Sequence, residues 1–371
     1  MNRRKLPGLY IHVPFCRSKC RYCDFYSITS LDLVPEWLEA LEREAVLRKN
    51  LFPVFGSLYL GGGTPTALME HEAGLLMDCI RRHFRFAEGA EMSVEANPDD
   101  VCREKLRFLL GQGFNRISLG VQSFDDGELR RLGRRHAGRK AEAALGLVMS
   151  SGFDNVSVDL MYGLEGQRLT GWARSLRRAV EFEPHHLSCY QLTIEPGTPI
   201  GRLAEEGRIV PIDEDSEHSF FLFMSRFLTQ KRYIHYEVSN FARKPQFECV
   251  HNKKYWNRAP YLGLGPGAHS FKDAVRWSNV KSVSEYCGKL SVGEPPVCSR
   301  EDLSSEQVRL EKLFLGFRTR AGVDLSALGS MPDPTPILKQ LEKTGIVRVH
   351  RGKVVSTLKG LLVADSLPLL F

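Results

Sequence analysis

Short apolar runs alternate with amphipathic stretches along the first 230 residues of the chain. Alternating apolar positions over residues 7–13 predict a strand, and runs of the same character recur at 57–61, 91–95, 116–122, 156–160 and 187–192. Between them the apolar residues fall at helical spacing over 35–49, 68–84, 100–111, 138–151, 169–183 and 214–229. Six strand-helix units predict an α/β fold with a parallel sheet, a partial (β/α)6 barrel; an open doubly wound sheet has the same element order. In both architectures ligands sit at the carboxyl ends of the strands. There the chain places Glu95, Gln122 and Asp159, and there the run Gly61-Gly62-Gly63-Thr64-Pro65-Thr66 leaves its strand, its glycines suited to a close backbone approach to a ligand.

Past residue 231 the alternation gives way to aromatic and glycine-rich sequence. The barrel therefore spans 1–230, followed by a connecting segment, 231–300, expected over the barrel mouth. Beyond Glu294-Pro295-Pro296, helical patterns near 304–318 and 335–344 and two short strands around Arg351-Gly352-Lys353 predict a small α+β domain, 301–371, in winged-helix-like order. Its helix at 335–344 offers only Lys339, Lys343 and Glu342, too little positive charge to hold a duplex. A structural lid is the expected role, with no nucleic acid partner.

Candidate chemistry concentrates in one loop. Cys16, Cys20 and Cys23 fall within eight residues, beside Pro14 and the basic residues Arg17, Lys19 and Arg21, which would stabilise ionised sulfurs. Three thiolates leave one iron of a [4Fe-4S] cube without a protein ligand, open to an exogenous chelate. The alternative is a zinc knot with His12 as fourth ligand, although zinc sites usually pair two short Cys/His hairpins far apart in sequence.

Composition narrows the class. A chain of 371 residues exceeds the usual ceiling for one core, in keeping with a large and a small domain. An apolar content of 43% excludes a disordered or fibrous chain, and no apolar run approaches the ~20 residues of a membrane span. The start, Met1-Asn2-Arg3-Arg4-Lys5-Leu6-Pro7, lacks the apolar region of a secretory signal. Nine cysteines, an odd number with six of them scattered, suit a reducing compartment, so a cytoplasmic location is expected. The net charge of +7 favours anionic partners: small carboxylates or phosphates, nucleic acid, or an acidic membrane surface that a peripheral contact would use.

The C-x3-C-x2-C spacing, with Tyr22 before the last cysteine, resembles the radical S-adenosyl-L-methionine (SAM) superfamily, in which the open iron holds the amino and carboxylate groups of SAM. Together with GGGTPT at 61–66, SVEANP at 93–98, LGVQSF at 119–124, DLMYG at 159–163, YQLTIEPGT at 190–198 and YEVSNFA at 236–242, the chain resembles a known family nearly end to end. This is the coproporphyrinogen dehydrogenase (HemN-like) family of radical SAM proteins and, within it, the HemW-type haem chaperones. The resemblance implies a [4Fe-4S] cluster on Cys16, Cys20 and Cys23. It implies SAM flanked by Tyr10 and Tyr22, met by Gly62, Gly63 and Thr64, and enclosed by Glu95, Gln122, Arg134 and Asp159. Acid, amide and guanidinium groups together suit the carboxylate, ammonium, diol and sulfonium of SAM.

Two features separate the branches. The decarboxylase branch carries a further cysteine one residue after the last cluster cysteine, where this chain has Asp24 and Phe25. His251-Asn252-Lys253-Lys254-Tyr255-Trp256 matches the His-Asn-x-x-Tyr-Trp signature of the HemW type. Histidine is a frequent axial ligand of haem iron and aromatic rings stack on the macrocycle, so His251, Tyr255 and Trp256 are candidate haem contacts, with His269 second to His251. The plainer reading is that His251 and Trp256 pack a loop onto the barrel rim. Glu165 stands where the family's pattern has proline. The expected function is a radical SAM protein that binds haem and delivers it to apo-haemoproteins, those of the respiratory chain among them, with an electron donor serving the cluster. Oxygen-independent coproporphyrinogen III dehydrogenase and another radical SAM enzyme stay open as alternatives, and no catalytic residue is singled out.

Overall fold

Outward and inward positions alternate along each early strand, and that alternation shapes the molecule. The computed structural model describes residues 5–329 and 333–371, so Arg3 and Arg4 at the amino terminus lie outside the described residues. The chain runs β1 (Gly8–Val13), α1 (Val34–Arg48), β2 (Phe55–Gly62), α2 (Glu70–His83), β3 (Phe86–Ala96), α3 (Arg103–Gly111), β4 (Arg116–Gln122), α4 (Asp126–Leu132) and α5 (Gly138–Met149). It continues through β5 (Asn155–Tyr162), α6 (Leu169–Glu181), β6 (His186–Gln191), α7 (Pro199–Glu205) and α8 (Glu214–Gln230). The six predicted strands and helices are all present. Two helices of seven residues, α4 and α7, were not expected, because two turns give too few periodic positions to stand out.

Strands β1 to β6 pair in parallel in sequential order. A doubly wound sheet would reverse its order near the middle; this one does not, so the partial barrel holds. The outward set, Leu9, Ile11, Val13, Leu58, Leu60, Val94, Ile117, Leu119, Val156, Val158 and Leu187, is buried against the helices. Helix α1 shows why these helices form: Pro35 fits its first turn, Val34, Trp37, Ala40, Leu41 and Ala45 make one buried stripe, and Arg48 stands by its carboxyl end.

The stretch 231–300, expected as connecting structure over the mouth, instead extends the sheet. It supplies β7 (Ile234–Glu237), β8 (Asn240–Ala242), α9 (Val250–Trp256), β9 (Tyr261–Leu264), β10 (His269–Lys272), β11 (Val275–Asn279), α10 (Val283–Ser291) and β12 (Val297–Asp302). Strand β9 lies parallel to β1, β10 to β12 continue from it antiparallel, and β8 and β7 close the other edge, giving an open sheet of twelve strands. Helix α9 plugs the end opposite the mouth. The carboxylate of Glu91 accepts from the backbone N–H of Val250 and of His251 (2.9 Å each), and Lys254 Nζ donates to Leu6 O just before β1 (2.7 Å). These strands are only three to six residues long, which hid them from a periodicity reading.

The remaining unit is α11 (Ser305–Gly316), β13 (Val323–Asp324), α12 (Thr335–Lys343), β14 (Val347–His350), β15 (Lys353–Ser356) and α13 (Leu358–Leu362), in winged-helix-like order. It has its own core of Leu313, Phe317, Leu328, Val347, Val354 and Phe371. It is not a lid: it packs against β7, through a bridge between Glu237 and Thr319, and against Arg258 and Arg276, which pair with Glu311. None of its described residues lines a cavity at the barrel mouth.

Glu44 staples the late strands to the first helix. Only 1% exposed, it accepts hydrogen bonds from Tyr286 OH (2.6 Å), Asn279 Nδ2 (2.7 Å) and the Gly265 N–H (2.9 Å). Glu44→Ala leaves Tyr286 OH and the Gly265 N–H unpaired and Asn279 Nδ2 with only its bond to Gly265 O, and is expected to cost about 3 kcal/mol, whereas Glu44→Gln, which still accepts, costs about 1 kcal/mol. Thermal unfolding of the two variants checks the difference; equal midpoints would refute the staple.

Candidate functional site

The cysteine loop is tied down at several points. Cys16 N–H donates to Ile28 O (2.9 Å), Arg21 N–H to Leu132 O (3.0 Å) and Thr64 N–H to Phe15 O (2.7 Å). Arg17 pairs with Asp100, and Arg135 with both Asp99 and Asp100. Gly63 permits this: a side chain there would come within 2.7 Å of the carbonyls of Phe15 and Val13. Gly62, at φ 101°, faces the His12 ring in the same way. The close approach that these glycines allow is to the chain's own loop, although both also line the cavity beneath it.

That cavity, of about 530 Å³, opens at the carboxyl ends of β2 to β6. It brings together Cys16, Cys20, Cys23, Tyr22, Gly62, Gly63, Thr64, Glu95, Gln122, Arg134 and Asp159, eleven of the twelve residues expected at cluster and SAM. Tyr10 is the exception; it lines an adjoining cavity. Arg134 Nη1 donates to Cys20 Sγ (3.4 Å) and Nη2 to Gly120 O (2.6 Å). An irregularity in the β4–β5 register between Gly120 and Gln122 puts Gln122 in the left-handed region at φ 66° and on the cavity wall.

The donor set fits a cluster with SAM. Gln122 Oε1 and Arg134 Nε are buried without a protein partner among the described residues, and both side chains face the cavity, as a polar ligand requires. The zinc alternative fits less well. His12 has both ring nitrogens engaged, with Tyr26 O (2.8 Å) and Tyr10 OH (3.2 Å), and among the described residues no three His, Cys, Asp or Glu side chains converge on one ion. Burial pushes the Cys16 thiol up and the Cys23 thiol to about 11, while the positive charges of Arg134 beside Cys16 and Lys19 beside Cys23 act in the opposite direction. Desolvation outweighs these cations, and Arg17 is already paired with Asp100.

Two carboxyls share the floor. Ser118 Oγ donates to both oxygens of Asp159 (3.0 and 3.1 Å), and Tyr59 OH donates to Glu95 Oε1 (2.8 Å). Burial raises Asp159; burial, aided by the neighbouring Asp159 charge, raises Glu95 to about 7. Tyr59, Ser118, Asn97 and Tyr190 were missed in the sequence. Tyr59, Ser118 and Tyr190 did carry a signal, as inward positions at every second residue of strands otherwise rich in Val and Leu, whereas Asn97 lies just past the end of β3.

The adjoining cavity, about 480 Å³, is lined by Tyr10, Tyr26, Tyr59, Tyr255 and Tyr261, with His251 and His269. Of the three expected haem contacts, His251 and Tyr255 are here and Trp256, half-buried at the end of α9, is on neither cavity. His251 is 1% exposed; its Nδ1 bonds Ser57 Oγ (3.0 Å) and its Nε2 bonds Tyr255 OH (2.9 Å). Burial pushes its pKa down to about 3, so it is neutral at any ordinary pH.

Parallel strands with a polar interior and a three-cysteine loop over their carboxyl ends define a radical SAM protein, and the model of the Radical SAM superfamily matches residues 10–179. Such a protein carries a [4Fe-4S] cluster and SAM. The haem chaperone HemW of Bacillus subtilis is 36% identical over 97% of this chain and 98% of its own, and that of Escherichia coli 38% identical over 71% and 70%. The chain belongs to the HemW haem chaperone family. The coproporphyrinogen III oxidase HemN of Escherichia coli superposes with a TM-score of 0.84 at 26% identity, covering 99% of this chain and 90% of that one.

Glu95 makes stability depend on pH. Its carboxyl binds its proton more tightly folded, near 7, than unfolded, near 4.5, so its contribution is favourable below about 4.5 and is lost as pH rises through about 7. Glu95→Gln is therefore expected to stabilise SAM-free protein at pH 8, by up to ~3 kcal/mol and with a higher unfolding midpoint, and to change stability little at pH 4.5. Parallel melts at the two pH values check this; a uniform shift would contradict it.

Proposed function

We propose that the chain holds its [4Fe-4S] cluster on Cys16, Cys20 and Cys23, binds SAM in the cavity below, and carries haem in the adjoining aromatic cavity for delivery to apo-haemoproteins. One observation carries the reading. The two cavities share a wall made of Asp24, Phe25, Tyr59, Gly62, Glu95 and Tyr190, so a flat aromatic ligand in one stands beside SAM in the other. Glu95, Gln122, Arg134 and Asp159 then hold the polar groups of SAM, with Tyr22 and Thr64 at the cluster side. Recipients among respiratory apoproteins, an electron donor for the cluster and a cytoplasmic location extend the same reading. Nine free thiols suit a reducing compartment, and no described helix is long and apolar enough to cross a membrane.

The dehydrogenase reading draws on the likeness to HemN. Against it stand Asp24 and Phe25 where that branch has a further cysteine; Phe25 is 67% exposed at the shared wall. Anaerobic titration of cluster-loaded protein with haem is expected to give a saturable Soret band near one haem per chain. Coproporphyrinogen III with SAM and a reductant is expected to release no CO2. The reverse pair of results would favour the dehydrogenase.

Cluster and SAM binding separate by residue. Cys20→Ala is expected to lose cluster iron, because two open irons expose the cube to hydrolysis and oxygen. Asp159→Ala keeps its iron and loses about tenfold or more in SAM affinity, for the removal of a buried acceptor at roughly 1–3 kcal/mol. Iron analysis and calorimetry on both variants give the answer; full iron in Cys20→Ala would sink the cluster assignment.

A further inference from the structure

We infer that His269, at the start of β10, is the side chain that reaches haem iron in the aromatic cavity, and that His251 is a strut of the barrel floor. This rests on the haem reading above and goes a step beyond it, to the residue that ligates and the direction in which the macrocycle lies.

An axial ligand needs a free ring nitrogen that projects into the cavity. His251 offers none in this structure: both nitrogens are spent on Ser57 and Tyr255, and its ring sits under Gly8, where even a methyl group would come within 3.0 Å of it. Freeing it would break a hydrogen bond that holds α9 in the barrel end. His269 differs in each respect. It is exposed on the wall of the same cavity, and its ring has no hydrogen-bond partner among the described residues. Its place is set by the turn Gly265-Pro266-Gly267: Gly265, at φ 98°, has the His12 carbonyl 2.5 Å from where a side chain would start, and Gly267 has φ 75°. A larger residue at Gly265 would push this turn, and His269 with it, off β1.

The charges on the cavity wall orient the ligand. Haem is an apolar disc with two carboxylates on one edge. Lys281, exposed beside Gly267, makes no ion pair among the described residues and lies on the His269 side. Asp24 and Glu95 are the carboxyl groups on this cavity, and both stand on the wall shared with the SAM cavity. Propionates at Lys281 thus avoid the acidic wall, and the apolar edge of the disc faces Phe25 and the SAM cavity. Tyr26 and Tyr261 supply aromatic surface on the way.

The test is an anaerobic haem titration of the full, cluster-loaded chain by absorbance and by the spin state of the iron. His269→Ala is expected to weaken haem binding about tenfold or more and to change the spin state, with added imidazole restoring the spectrum. Lys281→Gln is expected to weaken binding without altering the spectrum. His251→Gln, which keeps a donor and an acceptor for Ser57 and Tyr255, is expected to leave the ligation spectrum unchanged, with cluster iron as the control for folding. An unaltered spectrum and affinity in His269→Ala while wild type binds haem overturns the assignment. A wild-type chain that binds no haem overturns the haem reading itself.

Discussion

A parallel strand wrapped by helices must present apolar side chains outward, and everything else in this protein depends on what that leaves inside. Along β1 to β6 the inward set is Tyr10 and His12, Tyr59, Glu95, Ser118, Asp159, Ser188 and Tyr190, polar almost throughout. Such a lining is costly unless every group has a partner. Some find one another, as Tyr59 finds Glu95 and Ser118 finds Asp159. Gln122 Oε1 and Arg134 Nε do not, and these orphaned atoms mark where a polar ligand belongs.

The barrel is open at one end and plugged at the other by the helix whose sequence looked most like a haem motif. Helix α9 needs partners for the N–H groups of its first turn, and Glu91, deep in β3, supplies them. Arg116, 2% exposed and next to this pair, provides opposite charge, and Tyr236 OH accepts from Cys249 N–H (3.3 Å). His251 and Lys254 continue the contact to β1 and β2. The motif His-Asn-x-x-Tyr-Trp is therefore built first as a seal: Tyr255 is its one ring that reaches both the histidine and the cavity, and Trp256 points elsewhere.

Position 25 links the two halves of the site. A cysteine there would place another thiol beside the cluster loop, whereas Phe25 places an exposed ring between the SAM cavity and the aromatic one. An apolar ring on a shared wall favours a flat partner over a charged one, and it separates the acidic floor from the rest of the aromatic cavity.

The strand-helix alternation, the six parallel strands, the cysteine loop, the glycine run and the strand-end positions of Glu95, Gln122 and Asp159 were legible in the sequence, because each rests on local signals: period-two and period-3.6 patterns, cysteine spacing, glycines at strand ends; Tyr22, Thr64 and Arg134 came to the same cavity by resemblance alone. The short strands β7 to β12, the role of 231–300 as sheet and plug, and the side position of 301–371 were not, since a strand of four residues carries too few positions for a pattern and its partner is chosen across the fold. Resemblance supplied His251 and Trp256 as haem contacts, yet sequence carries no record of burial or of which hydrogen bonds a ring has already made. Only the tertiary structure decided that Tyr10 faces the second cavity, that Ser57 and Tyr255 occupy both nitrogens of His251, and that a glycine turn leaves His269 exposed, because each of these is a contact between segments far apart in the chain.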